Sequence, residues 1–339
     1  MFEDDDDSPI DDQLNQDIQQ FEAHLFGETL GFIDSDRLEA VIDHYLVSGD
    51  FLKAKKASEI GRTNFSYNCI FDLRFVQSLS GLKQFDEALV GLSRIDIDQL
   101  PPIEVYVTFA SIYMQTGTYD LASTYFEKVL DVCELDDKPD LFLDLSLAKQ
   151  KLRDFDAAVG ILEKALATFP KHDAILYELG FLYDRLGNYE QAIETYLRYI
   201  EENPYANMAW YNLGNAYSKI EHFEKAIWAY DYSILVFDEF SPAHFNMGNA
   251  YLSSGKYHQA IDCFKKVLSI DGDDPMALCY LGESHEQLKE YDIAEHYYHL
   301  CLSLDPKVSE AWLGLGIISD IKGNTVEAIK LIQKALEYD

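Results

Sequence analysis

Ala209-Trp210-Tyr211-Asn212-Leu213-Gly214-Asn215-Ala216-Tyr217 and, after a short turn, Phe223-Glu224-Lys225-Ala226-Ile227 are the stretches whose reading decides the fold. From Asn207 to Ile220 the apolar residues Trp210, Leu213 and Tyr217 recur at i, i+3 and i+7, and from Phe223 to Val236 Ala226, Ile227, Tyr230 and Ile234 do the same. Both patterns predict amphipathic helices, because 3.6 residues per turn bring such positions onto one face. Two such helices make a hairpin. A lone hairpin cannot cover both of its apolar faces, so it needs neighbours.

The neighbours are in the sequence. Steps of 34 residues from Ala192 reach Ala226, Ala260, Ala294 and Ala328; backward lie Ala158 and, after a two-residue insertion, Ala122, Ala88 and Ala54. Three residues before each Ala stands an aromatic (Phe51, Phe85, Tyr119, Phe155, Tyr189, Phe223, Tyr257, Tyr291), with Thr325 the exception in the last unit. Twelve residues before the Ala, the later units carry Gly180, Gly214, Gly248, Gly282 and Gly316, where the earlier ones have Ile42, Val76, Ala110 and Ser146. Turn glycines at 49, 117, 187, 255 and 323 stand where a helix end needs a left-handed cap. Pro or Asp/Asn opens many of the next units, as in Asn203-Pro204 and Asp305-Pro306. Gly214 and Ala226 are expected where the two helices cross, with Trp210, Tyr217 and Tyr230 filling the space between hairpins.

With Trp210, Leu213, Gly214, Tyr217, Ala226 and Tyr230 at these offsets, the chain resembles the tetratricopeptide repeat. The resemblance covers about residues 35–339 in nine units, starting near Ser35, Cys69, Ile103, Pro139, Asp173, Asn207, Ser241, Pro275 and Ser309. The first three units depart most. The family implies an all-α, right-handed solenoid superhelix, with first helices lining a concave groove and second helices forming the back. It also implies a function: a scaffold or adaptor binding a peptide or protein segment in the groove. On the family's groove positions stand Tyr177, Glu178, Phe181, Asp184, Arg185, Tyr211, Asn212, Asn215, Lys219, Phe245, Asn246 and Asn249. Asn offers both a donor and an acceptor to a peptide backbone. Tyr177, Phe181, Tyr211 and Phe245 are candidate aromatic anchors. A clamp for acidic chaperone tails would need more cations: Arg185 and Lys219 face Asp43, Asp144, Glu178, Asp184, Glu283 and Glu286.

Sixty acidic against 27 basic residues give a formal charge of −33. That field repels phosphate backbones and anionic membranes, and points to neutral or basic protein partners. Five cysteines without a CxxC pair argue against a disulfide or zinc framework. No signal peptide and no apolar run of about 20 residues is present, so the expected compartment is the cytoplasm. No GxxxxGK[ST], HExxH or GxSxG motif occurs, and no cofactor or metal is expected. His285, His296 and His299 sit at packing offsets. Asp273 and Asp274 read as a helix start.

Residues 1–36 hold 12 acidic residues and no Lys or Arg. Glu3 to Asp7 reads as a disordered acidic run. Leu14, Ile18, Phe21 and Leu25 then form an amphipathic helix, broken by Gly27 to Gly31. This helix either caps the first repeat or docks into the groove as a regulatory segment, the alternative function. At the other end nothing covers Trp312, Leu315, Ile329 and Ile332, which suggests self-association or a longer natural chain.

Overall fold

A computed structural model describes residues 9–29, 31–96, 99–135 and 138–338. The acidic run of the first seven residues lies outside them. The described residues hold helices and no strand. The chain divides into two units, one up to Leu162 and one from Glu163, the division falling inside a helix.

The first unit holds α1 (Pro9–Leu25), α2 (Ser35–Val47), α3 (Phe51–Asn64), α4 (Ile70–Gly81), α5 (Phe85–Leu92), α6 (Pro102–Gln115), α7 (Tyr119–Val132), α8 (Lys138–Lys151) and the start of α9 (Phe155–Thr168). The second holds the rest of α9, then α10 (Asp173–Arg185), α11 (Tyr189–Glu202), α12 (Asn207–Lys219), α13 (Phe223–Val236), α14 (Ser241–Ser253), α15 (Tyr257–Asp271), α16 (Pro275–Gln287), α17 (Tyr291–Leu304), α18 (Ser309–Ile321) and α19 (Thr325–Tyr338). From α2 onward the helices alternate as first and second members of hairpins. First-helix starts fall within one residue of the sequence-derived ones. The two-residue insertion lies in the connection from α7 to α8.

Each hairpin turns on a residue with positive φ. Gly49, Gly117, Gly187, Gly255 and Gly323 adopt values of 74–85°. Between them, at the same register, Lys83, Arg153, Glu221 and Lys289 adopt about 60°. The left-handed turn is therefore a requirement of the hairpin, and four non-glycine residues accept it against roughly 1–2 kcal/mol of Cβ–carbonyl crowding each. Only the glycine half of this rule was visible in the sequence.

The first-helix glycine makes room for a ring. A Cβ on Gly180, Gly214 or Gly282 would stand 2.8, 2.5 or 2.7 Å from a ring atom of Tyr196, Tyr230 or Tyr298, and one on Gly248 would stand 2.8 Å from Phe264. The rings come from the second helix of the same hairpin. This corrects the expectation that Gly214 permits close backbones while Tyr230 fills space between hairpins: the ring itself is what the glycine admits. Tyr298 also lies against Gly314 of the next first helix, so it serves both hairpins. The partner alanines 192, 226, 260 and 294 are fully buried beside these rings.

α1 covers the first hairpin. Phe21 is fully buried, and its ring lies 5.7 Å from that of Tyr45. Leu14, Ile18 and Leu25 pack on the same cluster. Buried Asp17 accepts from Arg37, and Glu22 accepts from Lys53 at 2.8 Å and from the Tyr45 hydroxyl at 3.2 Å. Lys53 holds the Glu22 carboxyl below its usual range. Asp274 caps α16 through the Ala277 amide at 2.6 Å. In the last hairpin Leu315 is buried, contrary to expectation, while Val326, Ile329 and Leu336 are exposed.

Replacing Gly214 by Ala is expected to cost about 2 kcal/mol, because the displaced Tyr230 is a rigid ring. Chemical denaturation followed by hydrogen exchange checks this: protection should fall first in α12 and α13. An unchanged midpoint would show that the ring does not need the glycine.

Candidate functional site

In the second unit, successive first helices are joined side chain to side chain. Asn246 on α14 donates to the Tyr211 hydroxyl at 3.0 Å and to Asn215 Oδ1 at 2.9 Å, both on α12. Asn212 on α12 donates to the Tyr177 hydroxyl on α10 at 3.4 Å. The donors are 35 residues from their tyrosine acceptors, so the ladder repeats with the fold. Asn215 Oδ1 also accepts from the Tyr230 hydroxyl at 2.8 Å. The amides that the sequence offered as peptide grips are thus partly spent on fixing one hairpin against the next.

Two substitutions in the register leave polar atoms without partners. Phe181 stands one repeat before Asn215, and the buried Tyr196 hydroxyl there has no hydrogen-bond partner. Asn249 stands one repeat after it, opposite Phe264, which has no hydroxyl; Asn249 Oδ1 is left unpaired. A buried unpaired polar atom costs about 1–3 kcal/mol. Burial raises the phenols of Tyr196 and Tyr230 well above the ordinary tyrosine range.

A cavity of about 500 Å³ opens on this face, lined by Asp184, Asn215, Ser218, Lys219, Phe223, Tyr230, Asn246, Asn249, Ala250 and Ser253. Asn215, Lys219, Asn246 and Asn249 of the sequence-derived set therefore come together. A second opening of about 480 Å³ shares Asn249 and Ser253 and adds Tyr257, Tyr280, Glu283 and Gln287. Phe245 stands edge-on at 5.7 and 5.5 Å to Phe264 and Tyr280, which stack on each other, and lines neither opening. Tyr177 and Tyr211 are half-buried rungs of the ladder. Phe181 and Arg185 are exposed and line neither opening. Ser218, Phe223, Tyr230, Ala250 and Ser253 of the lining were missed; Ser218 stands 3.4 Å from the Tyr230 hydroxyl, a contact no linear pattern displays.

Acid dominates the adjoining face. Burial holds the Asp184 carboxyl above its usual range, with Lys219 pulling it back. Glu283 is raised by burial and by the charges of Glu286 and Glu310. Burial raises Glu286 too, offset by the Tyr298 hydroxyl it accepts at 2.8 Å. In the first unit the equivalent face keeps a smaller opening of about 380 Å³ lined by Gln77, Thr108, Ser111 and Gln115, and an arginine joins its helices. Arg74 on α4 lies 2.9 Å from Glu39 on α2 and 2.6 Å from Glu104 on α6, and its Nε stands 2.7 Å from Asp43 but off the hydrogen-bond axis. This buried arginine ties three first helices together where the ladder residues are missing.

His285 contacts Glu290 at 2.6 Å and stacks on Tyr297, while His296 and His299 are exposed. Among the described residues no group of three or more His, Cys, Asp or Glu is placed to hold a metal. No described helix is long and apolar enough to cross a membrane.

Tetratricopeptide-repeat family models match residues 143–207 and 182–242, residues 241–274, and residues 103–134 and 277–308. Among curated proteins, the uncharacterized protein ycf37 of Guillardia theta is 30% identical over 93 residues, covering 26% of this chain and 52% of that protein. The chain thus spans about half the length of that relative. The C-terminal part of a TPR repeat-containing protein from Cytophaga hutchinsonii is similar with a TM-score of 0.62 at 18% identity, over 72% of this chain and 99% of that one. A tetratricopeptide repeat protein from Parabacteroides merdae gives 0.52 at 17% identity, over 70% and 93%. At such identities the two structures speak for the fold alone. Repeat models, helix pairs and shared fold agree that this all-α solenoid chain belongs to the tetratricopeptide-repeat family.

Proposed function

We propose that the chain is a non-catalytic interaction scaffold that holds a segment of another protein along the α10–α12–α14 face of the second unit. One observation carries this reading: Asn215, Lys219, Asn246 and Asn249 converge on an open cavity whose walls are fixed by the Asn–Tyr ladder. A wall already rigid loses little entropy on binding. Asn249 and Lys219 bring an amide and an ammonium to the same cavity lining. The carboxylates of Asp184, Glu283 and Glu286 favour a neutral or basic segment over an acidic one.

The autoinhibited alternative draws no support from α1, whose apolar side chains are spent on the first hairpin. Self-association has a separate basis. Ile329 and Leu336 are exposed, whereas Ile261 and Leu302 at the same registers are buried. If copies pair through this face, sedimentation equilibrium will show concentration-dependent association that Ile329→Lys abolishes; a monomer at every concentration removes the idea.

Asn212 and Asn246 hold the fold, so the sharper test of the groove replaces Lys219 and Asn249, which have no such duty. Partners captured from a lysate of the source cells by the full chain should lose about tenfold in affinity, about 1.4 kcal/mol, to Lys219→Ala/Asn249→Ala. Retention of every partner by that variant would place binding elsewhere. For a cationic partner the sign of the pH dependence is set. Burial lifts the Glu283 and Glu286 pKa values, so these groups take up protons earlier than ordinary carboxylates as pH falls. Affinity should therefore weaken as pH falls toward the carboxylate range, and sooner than ordinary glutamates would give. Calorimetric titration showing tighter binding at the lower pH would mean that the groove prefers an anion.

A further inference from the structure

α13 breaks a rule that its neighbours keep. On the outward side of the second helices, α11 presents Glu194, Arg198 and Glu201, and α15 presents Asp262, Lys266 and Ser269. At the same three registers α13 presents Trp228, Tyr232 and Leu235. These three are exposed by 42, 40 and 79%. The opposite side of α13 carries its core residues, Ala226, Ile227, Ala229, Tyr230 and Ser233, so the outward aromatics add to the core only through Trp210 and keep about two fifths of their surface open.

The rings are nonetheless held in place. Tyr232 stacks on Trp210 at 4.6 Å and 18°, and Trp228 stands edge-on to Trp210 at 5.1 Å and to Tyr232 at 5.4 Å. Trp210 is itself buried and anchored by its indole N–H, which donates to the Pro204 carbonyl at 2.8 Å. Two exposed faces are thus fixed on a buried base, and binding to them needs little further ordering of side chains. Preset Trp and Tyr are the residues that concentrate binding energy at protein interfaces.

The surroundings select the partner. From Glu221 to Glu239 there are five carboxylates (Glu221, Glu224, Asp231, Asp238, Glu239) and one lysine, Lys225. The Lys225 ammonium lies over Tyr217, 5.4 Å from the ring centre, and Lys256 is paired with Glu224 at 2.7 Å. Asp231 stands on α13 between Trp228 and Tyr232, exposed. An arginine laid on these rings would gain the attraction of their π faces and a carboxylate for its N–H groups. Arg198 and Lys266 border the surface from α11 and α15, but on α13 itself an anionic partner would meet Asp231 with no lysine beside the rings.

We propose that the outward face of α13 is a second docking surface, distinct from the groove, for an apolar, arginine-bearing segment of another protein. Trp228 and Tyr232 receive the guanidinium and its apolar neighbours, Leu235 extends the apolar contact, and Asp231 supplies the counter-charge.

The test uses the full chain and two synthetic amphipathic peptides that carry Leu and Trp on one helical face. One has Arg on the other face; its mate has Glu there. Calorimetric titration should show the Arg peptide binding at least tenfold more tightly than the Glu peptide. Trp228→Asp/Tyr232→Lys, which copies the residues of α15, should lose that binding tenfold or more. Leu235→Ser, at a site too exposed to disturb folding, should lose severalfold. Lys219→Ala/Asn249→Ala should bind the Arg peptide like the unaltered chain, which separates this surface from the groove. Equal binding by the unaltered chain and Leu235→Ser, or equal binding of the two peptides, overturns the proposal. So does sedimentation showing self-association that the α13 variant abolishes, because the surface would then belong to a second copy.

Discussion

Tyr230 lies across Gly214 because the glycine has no Cβ, and that single contact sets how closely α12 and α13 approach. The same arrangement recurs with Tyr196 on Gly180, Phe264 on Gly248 and Tyr298 on Gly282. Each ring buries a large apolar area inside its own hairpin and leaves an edge for the next one. Where the edge carries a hydroxyl it needs a partner, because a phenol taken out of water loses its hydrogen bonds to solvent. Asn215 provides that partner for Tyr230 and thereby becomes available to Asn246 of the following repeat. The packing constraint within a hairpin has turned into the register between hairpins.

The candidate groove follows from this arrangement. Its walls are ladder residues, so it is stiff, and its unpaired atoms appear where the repeat is imperfect. Phe181 in place of Asn strands the Tyr196 hydroxyl, and Phe264 in place of Tyr strands Asn249 Oδ1. A perfect repeat would satisfy each of these atoms internally. In the first unit Arg74 takes over the connecting role with ion pairs. The Asn–Tyr ladder is therefore a feature of the second unit, while the first unit's own openings are lined by other residues.

The outer surface of α13 obeys a different economy. Glutamate, aspartate, arginine and lysine at these registers in α11 and α15 face solvent without touching the core. Trp228 and Tyr232 interrupt that pattern and rest on Trp210, a residue whose own place is set by its packing and by Pro204. Repeat architecture allows such local departures, since each hairpin is stabilised mainly by its immediate neighbours.

Periodicity made the fold legible. Alanines at 34-residue spacing, the aromatics three residues before them and the turn glycines mark the hairpins within a residue or so, because each reports a local requirement of backbone or close packing. The groove was legible only as a set of positions. Asn212 and Asn246 looked like free grips, yet their amides reach Tyr177 and Tyr211 in the preceding repeat, a distance of 35 residues that no local pattern weighs. Nor could Lys83, Arg153, Glu221 and Lys289 be seen to share the glycine conformation, since nothing in their side chains asks for it. The sequence by itself determined the helices, their pairing and the acidic balance. The tertiary structure alone decided which polar side chains the stacked hairpins consume and which they leave open, because that depends on atoms brought together from different repeats.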